Sequence, residues 1–457
     1  MMHVLLILLL LPAAVMAAPS EDEIQMLPGL TTQPSFKQYS GYLAASDTKK
    51  LHYWFAESMG NPKTDPVALW MNGGPGCSSI MGLLSENGPF KVKEDGRSLE
   101  YNPFSWNTVA NVIFLESPAG IGYSYATDKN YTTNDDLTAQ EHYWAMKDFF
   151  LKFPEYRSNL LYITGESYGG IYVPQLVILL ASDSGFNLAG YAIGNGFSRA
   201  DFLLDSLVYF AYYHGLVGTT EWKKLLNECC GGSQDDCKFY DTALRSPACN
   251  TEVEKVQTIQ TGGYFDMYNL YSPCATGAKS YSDKPSLPKH GKAGLFGIGR
   301  DNPDNVCQNN TATQTYLNLP AVRQALHIPH FVQKWQVCLE YQDGWYTKQY
   351  NDTSFFYYDH IFKAGIPGIL YVGDVDMACN FLGNEWFADS LGRPVKEERK
   401  MWYYRDEKGL RQVAGFVKTF DLLTYVTLRG AGHLSPMDRP RSALVMFTNL
   451  VQNRPFQ

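Results

Sequence analysis

Apolar residues along the chain come in short runs, and each run closes on a turn-forming residue. Six such runs are VALWMN (67–72), NVIFLES (111–117), LLYITGES (160–167), LAGYAIGNG (188–196), GILYVGD (368–374) and LTYVTLRG (423–430). Runs of this length without strict alternation predict strands buried on both faces, and the closing Gly, Asn, Asp or Ser predicts a turn at each strand end. Between several runs the spacing becomes helical. Over 134–156 (NDDLTAQEHYWAMKDFFLKFPEY) apolar and aromatic positions recur every three or four residues, Asp135 and Asp136 favour the start, and Pro154 ends it. Strands alternating with helices predict an α/β fold, a mainly parallel sheet with helices on both faces.

That rhythm lapses between about 198 and 320. Strand-like runs are missing there, four cysteines cluster (Cys229, Cys230, Cys237, Cys249), and the polar stretch 278–300 reads as an exposed loop open to proteolysis. We expect residues 198–320 to form an insertion, part helical and part irregular, over a sheet built from 18–197 and 321–457. The N-terminus is different again. VLLILLLLPAAVMAAPS is shorter than the roughly 20 residues a membrane span needs, and small residues and then EDE follow it. Residues 1–17 therefore read as a cleaved secretory signal, although the segment before the apolar run holds His3 and no Lys or Arg. The expectation is a protein of the secretory pathway, lysosomal or extracellular, with no membrane anchor after cleavage.

Composition narrows the choice further. The 457 residues are 45% hydrophobic and 18% charged, ample for a large core. A net charge of -8 without a polybasic run speaks against a nucleic-acid partner. Nine cysteines leave one over if the rest pair, and the cysteine cluster, lacking a nearby histidine or a CxxC pair, suggests disulfides rather than zinc. No metal or cofactor is expected. Asn130, Asn309 and Asn351 head Asn-x-Thr sequons and are candidate glycan acceptors.

The chemistry centres on Gly165-Glu166-Ser167-Tyr168-Gly169. An apolar strand precedes this G-x-S-x-G and a helix-like stretch, IYVPQLVILLASDS, follows it. Strand, sharp turn and helix make a nucleophile elbow of what is otherwise a common string. A serine hydroxyl needs a base to take its proton and an acid to orient that base, in the chain order Ser, Asp or Glu, His. Two late strands supply both: GDVDMACN offers Asp374 and Asp376, and AGHLSPMDRP places His433 in a loop beyond a strand end. Backbone N–H groups must hold the oxyanion, and the glycines of WMNGGPGCSS make Gly74, with Tyr168, the candidate pair.

Six motifs, WMNGGPGCSS, ESPAGIGYSY, GESYGG, GNG, GDVDMACNFLGNEWF and RGAGHLSPMDRP, occur in order from about residue 35 onward. Together they resemble the serine carboxypeptidases. The resemblance implies an α/β-hydrolase sheet with an inserted cap, a triad of Ser167, Asp376 and His433, and removal of one C-terminal residue from peptides through an acyl-enzyme. It also implies that Asn72, Glu86 and Glu166 recognise the substrate's free carboxylate, with Trp70 as a further wall. Such recognition requires protonated carboxyls, and two acids packed together raise at least one pKa, so acidic pH should favour activity. The same resemblance pairs Cys77 with Cys338, Cys229 with Cys249, Cys230 with Cys237 and Cys274 with Cys307, leaving Cys379 as the remaining thiol. It makes 278–300 a segment excised on activation, and adds a homodimer and lysosomal glycosidases to the candidate partners. An acyltransferase or esterase on the same fold is the alternative, against which Asn72, Glu86 and Glu166 argue.

Overall fold

Each of the six apolar runs forms a strand in the computed structural model, which describes residues 18–235, 237–262, 264–275, 307, 309–339 and 344–457. The signal segment 1–17 and the loop 278–300 lie outside the described residues. The longer strands of the main sheet are β1 (Gln38–Ala44), β2 (Lys49–Ala56), β3 (Val67–Met71), β4 (Asn111–Leu115), β5 (Leu161–Glu166), β6 (Leu188–Gly194), β7 (Gly368–Gly373), β8 (Val395–Arg405), β9 (Arg411–Phe420) and β10 (Leu423–Leu428). They lie side by side in the order β1-β2-β4-β3-β5-β6-β7-β10-β9-β8. From β4 to β10 all neighbours in this order are parallel, and the antiparallel pairs flank that block on both sides. Strands β3, β4, β5 and β7 are buried at every position, as the unbroken apolar runs require of central parallel strands.

Strands β1, β2, β8 and β9 were not marked by apolar runs: β1 (QYSGYLA) and β2 (KKLHYWFA) are largely buried but carry polar residues among the apolar ones, whereas β8 is largely exposed. Strand β8 forms one edge of the sheet, and its segment KEERKM is exposed throughout. Charged side chains there discourage pairing with another chain and hide the strand from a search for hydrophobicity. Helices cover both faces. Helix α1 (Asp135–Lys152) starts where the Asn134 side chain accepts from the Leu137 N–H, and α2 (Gly169–Ala181) follows β5 directly. Aromatic residues of α1 and the turn after it, Phe149, Phe150, Phe153 and Tyr156, pack on one face of the sheet, while Trp54, Trp70, Trp106 and Phe447 fill the other.

Between β6 and β7 the described residues of the insertion form helices and no strand before Tyr346: α3 (Ala200–Tyr213), α4 (Thr219–Cys230), α5 (Phe239–Ala243) and α6 (Pro247–Thr261) lead. These helices hold a hydrophobic cluster of their own, which reaches Val375 and Met377 in the loop after β7. The disulfides are Cys77–Cys338, Cys229–Cys249, Cys230–Cys237 and Cys274–Cys307, and Cys379 is buried outside them. Strand order, handing of layers and the helical insertion make this an α/β-hydrolase fold. Among the described residues no helix is long and apolar enough to cross a membrane.

Candidate active site

Parallel strands finish at one edge of the sheet, so the residues just after β3, β5, β6, β7 and β10 meet there. At the end of β5 the backbone turns sharply through Ser167, which has φ of 58° in the left-handed region that a non-glycine residue seldom adopts. The turn is held from both sides: Ser167 N–H donates to Gly194 O (3.0 Å) and its carbonyl accepts from Phe197 N–H (2.8 Å). A loop from β3 presses against it. Any Cβ on Gly73 would collide with the Tyr168 amide nitrogen and approach Ser167 Cβ to 2.7 Å, so only glycine allows this approach. The Gly73 backbone and the Tyr168 amide, at the N-terminal end of α2, therefore converge beside the serine.

Of the two aspartates after β7, Asp376 faces the histidine. Asp376 Oδ2 lies 2.8 Å from His433 Nδ1 and both residues are buried. Asp376 also accepts from Ala378 N–H (2.8 Å), Cys379 N–H (3.1 Å) and the Asn195 side chain (2.8 Å). Asp374 is turned elsewhere, onto Gly430 N–H at 2.6 Å. Asn195 was the unassigned letter of the GNG motif. Its own φ is 42°, and its Oδ1 accepts from Gly373 N–H and Ser435 Oγ, fixing the amide so that its N–H points at Asp376.

The insertion reaches the same place. His433 N–H donates to Tyr268 O (2.6 Å), the two rings lie 4.8 Å apart, and Met377 N–H donates to Met267 O. Tyr268 carried no sequence signal, since it sits in an irregular stretch rich in tyrosine. Beneath the elbow, Asp135 is buried rather than a solvated helix starter. It accepts from the hydroxyls of Tyr168 and Tyr346 (2.8 Å each) and from Gln349 N–H (2.6 Å), and burial raises its pKa.

Next to the serine, Glu166, Glu86 and Asn72 form one buried cluster. Asn72 Oδ1 accepts from Trp70 Nε1 (2.7 Å) and Gly82 N–H (3.2 Å). With the oxygen so occupied, Asn72 Nδ2 must face the acids, donating to Glu166 Oε1 (2.7 Å) and Glu86 Oε1 (3.0 Å). Trp70, fully buried, stands behind Asn72 and orients it. Both carboxyls have pKa values raised above the ordinary range. Burial is the main cause for each, and for Glu166 the charge of Glu86 adds to it. Glu86 lies on a short π-turn, Gly82–Glu86.

A second buried network, which sequence reading missed, supports the loop after β3. Glu116, the first residue of ESPAGIGYSY, accepts from Ser78 Oγ, Trp335 Nε1 (2.8 Å), Tyr123 N–H (2.8 Å) and His52 Nδ1 (2.8 Å). Ser78 belongs to the GGPGCSS loop, which the Cys77–Cys338 bridge and the Ser78 N–H to Val337 O bond also tie down.

This arrangement can be compared with known proteins. The serine carboxypeptidase family profile matches residues 28–453. The chain belongs to the serine carboxypeptidase family. It is 46% identical to the lysosomal protective protein of Mus musculus, over 99% of this chain and 98% of that one. A serine carboxypeptidase of Caenorhabditis elegans, ctsa-4.1, is 39% identical over 96% and 95%. Among solved structures, the prohormone-processing carboxypeptidase Kex1 of Saccharomyces cerevisiae aligns with a TM-score of 0.74 at 21% identity, covering 95% of this chain and 96% of that one. The protein is thus a carboxypeptidase acting on peptides, on a fold it shares with Kex1.

Proposed function

We propose that the enzyme removes single C-terminal residues from peptides through an acyl-enzyme, and does so best at acidic pH. Ser167 Oγ attacks the carbonyl carbon of the last peptide bond while His433 takes its proton. Asp376, charged and hydrogen-bonded at Nδ1, orients the ring and stabilises the imidazolium. The oxyanion is held by the N–H groups of Gly74 and Tyr168. His433 then protonates the leaving amine, the C-terminal amino acid departs, and water regenerates the serine by the reverse proton path.

The observation that carries this reading is the Asn72–Glu86–Glu166 cluster, one residue from the nucleophile. A buried carboxylate pair would repel a substrate carboxylate, whereas protonated carboxyls donate to it. The useful form is protonated and the pair's pKa values are raised, so recognition is present below those values and lost as pH rises through them. An esterase or acyltransferase has no need of such a pair. The helical insertion 198–320 acts as the cap, with Tyr268 against His433. For location we infer the secretory pathway and the lysosome: the mouse relative bears the name lysosomal protective protein, and Asn130, Asn309 and Asn351 are all exposed to glycosylation.

Incubation with an N-blocked hydrophobic dipeptide tests the assignment. Release of the free C-terminal amino acid is expected, together with its abolition by a serine-reactive phosphonate whose mass is found on the peptide containing Ser167. Turnover that survives complete labelling, or label on another serine, would sink it.

A further inference from the structure

Three parallel strands place one residue each in a row that includes Glu166 of the carboxyl pair. Glu166 on β5 pairs in register with Gly194 on β6, and Gly194 pairs with Tyr371 on β7. Register partners in a sheet project from the same face, so Glu166 and Tyr371 point to one side with Gly194 between them. Gly194 leaves that middle position empty of side chain, and the Tyr371 ring occupies it. A Cβ there would overlap the ring's Cε2, Cζ and hydroxyl. The ring is thereby laid across β6 toward β5.

Its hydroxyl has no hydrogen-bond partner within the protein, although Tyr371 is only 1% exposed. A buried O–H of this kind is costly unless something receives it. No N–H or hydroxyl donor reaches the second oxygens of the carboxyl pair, Glu86 Oε2 and Glu166 Oε2, either. The two carboxyls hydrogen-bond to each other, and the charges of both act on the Tyr371 hydroxyl. The Tyr371 hydroxyl is also held far from ionising, first by burial and then by the charges of Glu166 and Glu86, so it acts only as an O–H.

We infer that Tyr371 is a positioning residue of the carboxyl pair: its O–H donates to the ionised Glu86–Glu166 pair through one water, and so limits the pH range over which the pair stays protonated. This rests on the carboxylate-recognition reading above and deepens it. A donor to the charged form favours that form and lowers the pKa. Tyr371 therefore counteracts part of the rise that burial imposes. The other ionisable groups acting on the pair are Asp376 after β7, His433 after β10 and Asp438 beyond it, all of which the substitution below leaves in place.

The experiment compares kcat/KM against pH for an N-blocked dipeptide and for its C-terminal amide, in the wild-type protein and in Tyr371→Phe. The amide cannot accept from the pair as a carboxylate does, so the separation between the alkaline limbs of the two substrates reports the pair alone. Tyr371→Phe keeps the buried ring and removes the donor. The free-acid limb is expected to move to higher pH by about 0.5–1 pH unit, toward the amide limb, so the separation narrows by that amount. Tyr371→Met also lacks the hydroxyl and should narrow it likewise if the phenylalanine variant folds poorly. A separation present in the wild type but unchanged or widened in the variants overturns the role of Tyr371 alone. No separation even in the wild type overturns the recognition reading, and this inference with it.

Discussion

Ser167→Ala is expected to lower kcat for a blocked dipeptide by about a million-fold while leaving the protein folded. The size follows from what the serine does: without the hydroxyl there is no acyl-enzyme, and His433 and Asp376 have nothing to activate. The fold should survive because alanine also carries a Cβ, so the strain of the positive φ at position 167 is the same before and after. The hydrogen bonds of the elbow are made by backbone, from Ser167 N–H to Gly194 O and from Phe197 N–H to Ser167 O, and alanine keeps both. Asp376→Asn should cost about 10⁴-fold, since an amide can present N–H to Nδ1 and force the wrong tautomer on His433. Steady-state kinetics with circular dichroism on the same samples check both. A loss below about tenfold for Ser167→Ala would remove the serine from the mechanism.

Glu116→Ala is expected to lower stability by about 3–5 kcal/mol, the largest loss we expect from a residue outside the reacting groups. Glu116 is fully buried, and Ser78 Oγ, Trp335 Nε1, Tyr123 N–H and His52 Nδ1 all lie within hydrogen-bond reach of its carboxyl. The histidine is committed as well. Ser40 Oγ uses its one proton on Leu326 O (2.8 Å), so its contact with His52 Nε2 (2.9 Å) must be donated by the ring. Alanine would strand these donors in an interior without water, each at a cost of about 1–3 kcal/mol before relaxation. Urea unfolding with the disulfides intact measures the loss, and a change under about 1 kcal/mol would show that the network is redundant. Because Ser78 sits four residues from Gly74, a fall in kcat that exceeds any rise in KM should accompany the lost stability.

Much of the sheet could be read from the chain because its central strands are buried on both faces, and double burial writes an unbroken apolar run. The edge strand β8 follows a different constraint, avoidance of pairing, and its charges conceal it. Among the reacting groups, Ser167 and His433 announce themselves by the turns that carry them. The choice between Asp374 and Asp376 does not: both stand in one turn, two residues apart, and only three-dimensional structure puts one on His433 and the other on Gly430 N–H. Asn195, Tyr268 and Tyr371 were illegible for a related reason. Each acts across strands or from the insertion, and contacts between residues so distant in sequence leave no local pattern. Nothing in the residues around Glu86 marks it as buried; the resemblance singled it out, and the fold places it beside Glu166.

That last pair carries the central claim, that a protonated carboxyl pair reads the substrate's terminal carboxylate. It is tested most directly on the wild-type protein, by kcat/KM for an N-blocked dipeptide and for its C-terminal amide from about pH 4 to about pH 8. Because the recognising form is protonated and the pair's pKa values are raised, the free-acid substrate should be preferred at the acidic end and lose that preference as pH rises through those values, while the amide follows the triad alone. Two profiles of the same shape, with a constant ratio across the range, would contradict it.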